Sequence, residues 1–263
     1  MLALGTYNIR DIQRGGILKE IIRTMQLYFI RHGQSENNLL WETTGASTGR
    51  SDDPELTEVG RKQAEALARF LSCEPVVSST NSFDQHNFSG FSITHLYTSL
   101  MVRAIATAAV VADALNLPLM AWEGLHETGG IYHEDDPTGE RAGRPGKNRA
   151  YLAEHFPNLA LPISLGEAGW WDRPFEEREQ RPVRAEQLVR ELLERHGGRQ
   201  DHVAVISHGG FYNVLLRSIF KIEREDCWFG LNNTGITRID YSADGVALTY
   251  ANRVDFLPKD LVT

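Results

Sequence analysis

Cysteine is scarce in this chain of 263 residues, which holds only Cys73 and Cys227. Two thiols are too few for a disulfide framework and lack zinc-ligand spacing, so both read as reduced thiols of a cytoplasmic protein. Positive charge is also short: 27 Lys and Arg stand against 35 Asp and Glu, a formal net charge of −8. Nucleic-acid binders normally carry a basic face, so that class is disfavoured. The same deficit removes long-range attraction of anionic substrates, and any phosphate site must be built locally. No apolar run approaches the ~18 residues of a membrane helix. "MLALGTYNIRDIQRGG" lacks the unbroken apolar segment of a signal peptide, and no membrane partner is expected. There is no H-E-x-x-H or comparable ligand cluster, which argues against a metallohydrolase. Internal repeats are absent too.

What remains is an ordinary globular composition, 41% hydrophobic and 24% charged, long enough for one large α/β domain or two small ones. Strands are predicted at 26–31, 93–98 and 202–207, with shorter ones at 117–121, 234–240 and 246–251. "QLYFIR" and "HVAVISH" are near-continuous apolar runs, as in strands covered on both faces. Helices alternate with them. After Thr57, a good N-cap, Ala64, Leu67, Ala68 and Leu71 recur at helical spacing, and 101–115 and 182–196 repeat the pattern. The alternation predicts an α/β fold: a three-layer α/β/α sandwich with a mostly parallel central sheet. Two stretches break the rhythm. Residues 74–92 are rich in Ser, Asn and Gly, and 128–175 carries Gly and Pro, the basic run "ERAGRPGKNR" and the pair Trp170–Trp171. A loop as long as the second is expected to form a lid or subdomain. A single domain is predicted over 25–263 with insertions at 74–92 and 128–175. Residues 1–24 form an extension that reads equally as a short amphipathic helix, a flexible leader or a wrongly chosen start.

In open α/β sheets, ligands bind beyond the carboxyl ends of the strands. "LYFIRHGQSENN" ends its apolar run in Arg31–His32, and the 202–207 strand ends in Ser207–His208. The 93–98 strand runs into a helix carrying Arg103. Two histidines and two arginines would thus share one sheet edge.

At this point the residues resemble a known family. "RHGQSENN" (31–38) resembles the signature of the histidine phosphatase superfamily, the phosphoglycerate mutase-like enzymes. "DPELTEVGRKQA" (53–64), "LYTSLMVRAIATA" (96–108), "LHE" (125–127) and "VISHGG" (205–210) continue it in order. The resemblance implies phosphoryl transfer through a phosphohistidine, with His32 as nucleophile, Arg31, Arg103 and His208 around the phosphate, and Glu127 as proton donor. Phosphoryl transfer is mainly positioning and charge stabilisation, which planar arginine forks supply without a metal or cofactor. Asn38 matches the motif's asparagine and would reach the phosphate; a helix-surface role is the other reading. Glu123, Glu134 and Glu140 are alternatives to Glu127. His126 reads as structural, and His86, His95, His133, His155, His196 and His202 are scattered without ligand spacing.

In the mutases that resemble this fold an Arg–His–Tyr–Gly run follows the acid, where this chain has "ETGGIYHEDD". The expectation is therefore a metal-independent phosphatase acting on a small phosphorylated metabolite. A cofactor-dependent phosphoglycerate mutase is the alternative, and a non-catalytic phospho-ligand binding module a further one. Arg141, Arg144, Lys147 and Arg149 would favour the mutase if the lid folds inward; a solvated basic loop is the other reading. Trp170 and Trp171 would either line a pocket or anchor a subdomain. Oligomeric state has no sequence signal.

Overall fold

The computed structural model describes residues 25–74, 84–135, 137–224 and 226–263. The reading of 1–24, and of 75–83 within the first insertion, lies outside the described residues. The chain runs β1 (Met25–Arg31), α1 (Glu36–Thr44), α2 (Glu58–Leu71), β2 (His95–Thr98), α3 (Val102–Leu115) and β3 (Leu119–Ala121). It continues with β4 (Tyr132–Glu134), β5 (Arg141–Gly143), α4 (Arg149–His155), β6 (Leu159–Ala160) and α5 (Gln180–His196). The last elements are β7 (His202–Ser207), α6 (Gly209–Phe220), β8 (Ile236–Ser242) and β9 (Gly245–Arg253).

The seven-stranded central sheet has the order β6-β3-β2-β7-β1-β8-β9. Its first five strands run parallel, while β8 pairs antiparallel with β1, and β9 antiparallel with β8. Side chains alternate across the pleat, so each central strand feeds two cores. Tyr28, Ile30, Leu96, Ala204 and Ile206 face Leu67 and Leu71 of α2 and Ala104, Ile105 and Ala108 of α3. Leu27, Phe29, Val203 and Val205 face Leu188 and Leu192 of α5 and Phe211 and Leu215 of α6. Burial of each large apolar side chain contributes about 1.5–3 kcal/mol, which explains the near-continuous apolar runs of β1 and β7. No helix among the described residues is long and apolar enough to cross a membrane.

Thr57 caps α2 as expected, its Oγ1 accepting the Gly60 N–H at 3.0 Å. The strand expected at 234–240 begins two residues later, at Ile236. Those two residues wrap the tip of β1 instead: the Thr234 N–H donates to the carbonyls of Arg31 and His32, with Thr234 at φ 56°. Helix α1 had no apolar period because it has no buried residue, and α6 was hidden by its opening Gly209–Gly210.

The second insertion carries secondary structure of its own. The antiparallel ribbon β4–β5 stands apart from the sheet, but β6 joins the sheet edge beside β3. Trp170 and Trp171 pack edge to face at 5.5 Å within the core that holds Ile131 and Leu152. The tryptophans therefore anchor the segment.

Candidate active site

Parallel pairing of β1 with β7 runs from Gln26↔His202 to Arg31↔Ser207. That register sets Arg31–His32 and Ser207–His208 side by side at the carboxyl end of the sheet. Arg103 is the second residue of α3, Glu127 follows the 3-10 turn Glu123–Leu125, and Asn38 is the third residue of α1. Arg31, His32, Asn38, Arg103 and Glu127 line one cleft of about 350 Å³. His208 sits behind His32, fully buried, with ring centroids 5.0 Å apart.

Two glycines let these motifs close on each other. A Cβ on Gly33 would stand 2.5 Å from the Gly60 carbonyl oxygen, and one on Gly60 would stand 2.1 Å from that of Gln34. Side chains would force the β1 loop and α2 apart.

His32 Nδ1 lies 2.6 Å from the Gly33 carbonyl, and Arg103 Nε lies 3.1 Å from His32 Nε2. A carbonyl only accepts and a guanidinium only donates, so the proton is on Nδ1 and the lone pair on Nε2. Burial, then the charges of Arg103 and Arg31, hold this imidazole well below its ordinary 6.5. His208 is likewise held neutral by burial and by Arg103. Its Nε2 is 2.9 Å from Ser99 Oγ, and its buried Nδ1 has no partner among the described residues.

The arginines are placed from behind. Arg31 donates through Nη1 to the Leu231 carbonyl at 2.6 Å, while its buried Nε has no partner among the described residues. Arg103 donates to Met101 Sδ at 3.1 Å and sits 3.6 Å from Asp53 Oδ1. Asp53 also accepts the Val102 N–H at the start of α3; burial, opposed by Arg103, raises its carboxyl to about 6.

Glu127 docks on the N-terminus of α6. Its Oε1 accepts the N–H groups of Thr128 at 2.7 Å and Phe211 at 2.8 Å, and Oε2 that of Gly210 at 3.0 Å. Asn38 is mainly a cap: its Oδ1 accepts from Ser35 N at 3.1 Å and Asn233 Nδ2 at 3.2 Å. That leaves its Nδ2 as the donor available to a ligand. His126 is buried against Trp171, its Nδ1 2.8 Å from the Glu127 carbonyl.

Of the basic stretch, Arg141 reaches the cleft mouth, where it pairs with Glu134 at 3.3 Å. Arg144 pairs with Asp52 at 3.7 Å, Lys147 lies over the Tyr151 ring at 4.4 Å, and Arg149 donates to the Pro162 and Leu165 carbonyls. Sequence reasoning missed Arg50, stacked over Tyr132 at 4.2 Å in the same mouth, and Asn233, which donates to the His32 carbonyl at 2.9 Å. It also missed the buried Glu176–Arg184 pair, whose Arg184 Nη1 holds the carbonyls of Gly124 and His126 behind the acid. Arg50 just before the "DPELTEVG" motif was a usable signal; the other two have partners too distant in sequence.

The family description of the histidine phosphatase superfamily (branch 1) matches residues 27–82 and 85–254. A "Probable phosphoglycerate mutase" of Yersinia pestis (strain Pestoides F) is 30% identical over 103 residues, 39% of this chain. The match spans only 38% of that curated relative's length. Among solved structures, phosphoserine phosphatase from Entamoeba histolytica is similar at TM-score 0.55 and 21% identity, covering 89% of this chain and 100% of that one. Mycobacterial glucosyl-3-phosphoglycerate phosphatase is similar at TM-score 0.54 and 21% identity, covering 88% and 100%. At such identities the structural likeness is one of fold.

Proposed function

The chain belongs to the histidine phosphatase superfamily, and from that premise we propose that it hydrolyses a small phosphomonoester through a phosphohistidine at His32, with no metal or cofactor. The observation that carries this reading is the tautomer of His32, whose Nε2 lone pair stands in one cleft with two arginines and a carboxyl. Arg103 Nε covers that lone pair at 3.1 Å and must pass to a phosphate oxygen as substrate enters. His32 Nε2 then attacks phosphorus in line, the ester P–O bond breaks, and Glu127 gives a proton to the departing alkoxide. In the second half, Glu127 takes a proton from water as the oxygen attacks phosphorus, and the N–P bond breaks to restore His32.

Two buried donors supply the negative-charge stabilisation. Among the described residues Arg31 Nε has no partner, and the Ser99 hydroxyl can donate to His208 Nε2, which leaves a proton on Nδ1, likewise without one. An unpaired buried polar group costs about 1–3 kcal/mol, and phosphoryl oxygens would relieve both at once. His208 therefore needs no positive charge to act as a donor. The modest cleft fits a small metabolite, with its leaving group against Tyr132, Arg50 and Trp41.

Hydrolysis is favoured over mutase chemistry because Thr128, Gly129 and Gly130 follow the acid, with no arginine there. The Arg141 charge is already faced by Glu134. The Yersinia relative and the position of Arg141 favour the mutase as second reading. Two free thiols and the acidic net charge support a cytoplasmic setting without nucleic-acid or membrane partners.

The test is release of phosphate from a broad monoester panel with chelator present, comparing native protein with His32→Ala, alongside acid-quench trapping of a phosphoenzyme. Hydrolysis and trapped phosphate that both vanish in the variant are expected. Hydrolysis surviving in His32→Ala overturns the mechanism. Phosphoglycerate interconversion without net hydrolysis means a mutase, and ligand binding with no phosphoenzyme means a binding module.

A further inference from the structure

At the opposite end of the sheet from the cleft, three side chains far apart in sequence converge. His95 opens β2, His196 closes α5, and Asp201 immediately precedes β7. Their ligand atoms all lie within 4.8 Å of one another. We propose that His95, His196 and Asp201 form a structural site for Zn²⁺ or a similar borderline divalent cation. The site is separate from catalysis: the six residues of β7 put roughly 17–20 Å between it and His208.

Asp201 Oδ2 lies 2.8 Å from His196 Nδ1 and 3.8 Å from His95 Nδ1. Tetrahedral Zn²⁺ with bonds of about 2.0–2.1 Å holds its ligand atoms about 3.3 Å apart, between those two distances. The wider separation closes by a shift of His95, whose side chain is 38% exposed. Two imidazoles and one carboxylate suit zinc, whereas calcium and magnesium need more oxygens. His196 is held from its other side, Nε2 lying 3.0 Å from the buried Tyr97 hydroxyl. Such an outer partner orients a ligating histidine.

Without metal, His196 Nδ1 faces Asp201 as a hydrogen-bonded pair. On ligation the neutral imidazole changes tautomer, with Nε2–H donating to Tyr97 and the Nδ1 lone pair going to the cation. The exposed His95 side gives the cation its path in and leaves a fourth position for water. A bound cation would tie the end of α5 to the feet of β2 and β7, joining a helix layer to the sheet.

The test titrates metal-free full-length protein with Zn²⁺ against a chromophoric chelator, and follows thermal unfolding with and without the ion. Native, His95→Ala, His32→Ala and Cys73→Ser proteins are compared, with circular dichroism confirming that each is folded. A single Zn²⁺ per chain and a raised melting temperature are expected in all but His95→Ala, where affinity should fall at least about tenfold. Co²⁺ in the site should show the intense visible bands of a tetrahedral centre, also lost in His95→Ala. No binding at about 100 μM Zn²⁺, far weaker than structural sites show, overturns the proposal. Unchanged affinity in His95→Ala, or affinity lost in Cys73→Ser or His32→Ala, overturns it as well.

Discussion

Mild acid should unfold this protein steeply, because three histidines are buried without charge. His32, His126 and His208 are each 3% exposed or less, and burial together with arginine charge holds each well below 6.5. The unfolded chain binds a proton at each site as pH falls through about 6.5, while the native chain resists it. A lowered native pKa means the stability is full above the unfolded value and is lost below it. Each group removes up to about 1.36 kcal/mol per pH unit, so the three remove up to about 4 kcal/mol per unit. Asp53 acts with the opposite sign. Burial raises it to about 6 from 3.8, so between those values the native state takes up a proton that the unfolded state does not. That returns up to about 1.36 kcal/mol per unit, leaving a net loss of about 2.7 kcal/mol per unit below pH 6. His196 adds a smaller share of the first sign, opposed by Asp201. Against a total stability of about 5–15 kcal/mol, such a slope is decisive within two pH units. Urea unfolding at steps from about pH 7.5 to 5 measures it through the linkage slope. His126→Gln should make the slope shallower by about one proton. A stability flat to within about 1 kcal/mol across that range would refute the reasoning.

Further substitutions probe the rest. Arg103→Lys keeps the charge but loses the fork and the Nε contact to His32; kcat should fall about 10²–10³-fold with KM little changed, and a loss under about threefold would deny it a transition-state role. Gly60→Ala puts a methyl 2.1 Å from the Gln34 carbonyl oxygen and should cost about 1–3 kcal/mol in urea midpoint. Gly166→Ala, with open space around its Cβ, serves as the unaffected control. Arg184→Met strands Glu176 in a buried position and should cost about 3–5 kcal/mol in the same assay, and the double variant with Glu176→Leu should recover most of it.

The candidate site was legible wherever chemistry and local backbone coincide. Arg31, His32 and His208 stand at the ends of apolar runs, and Arg103 interrupts an apolar helix. Each is conspicuous to a reader who sees only near neighbours. Asn38 was readable too, although its Oδ1 is spent on the cap of α1 rather than kept for a ligand. Asn233 carried no signal, since its partners His32 and Asn38 lie about two hundred residues away. The Glu176–Arg184 pair was equally hidden. An arginine and a glutamate on a helix and its approach look like solvated charge until the loop bearing Glu127 folds over them.

By itself the sequence determined what depends on a few adjacent residues: the apolar runs of the central strands, the cap at Thr57, the helix faces, and the chemistry at each strand tip. Folding decided which of those tips meet. The one-to-one parallel register of β1 on β7 puts Arg31 beside Ser207, and a slip by one residue would turn every side chain of the strand into the opposite core. Mutual clearance of Gly33 and Gly60 sets how closely the two motifs approach. Tertiary packing also split the nine histidines by environment, three of them buried at the carboxyl end of the sheet and two gathered with Asp201 at its far end. The physical reason is the same throughout. Closing a long loop costs only slightly more than closing a short one, so sequence separation says little about contact, and burial of the two cores chooses the neighbours.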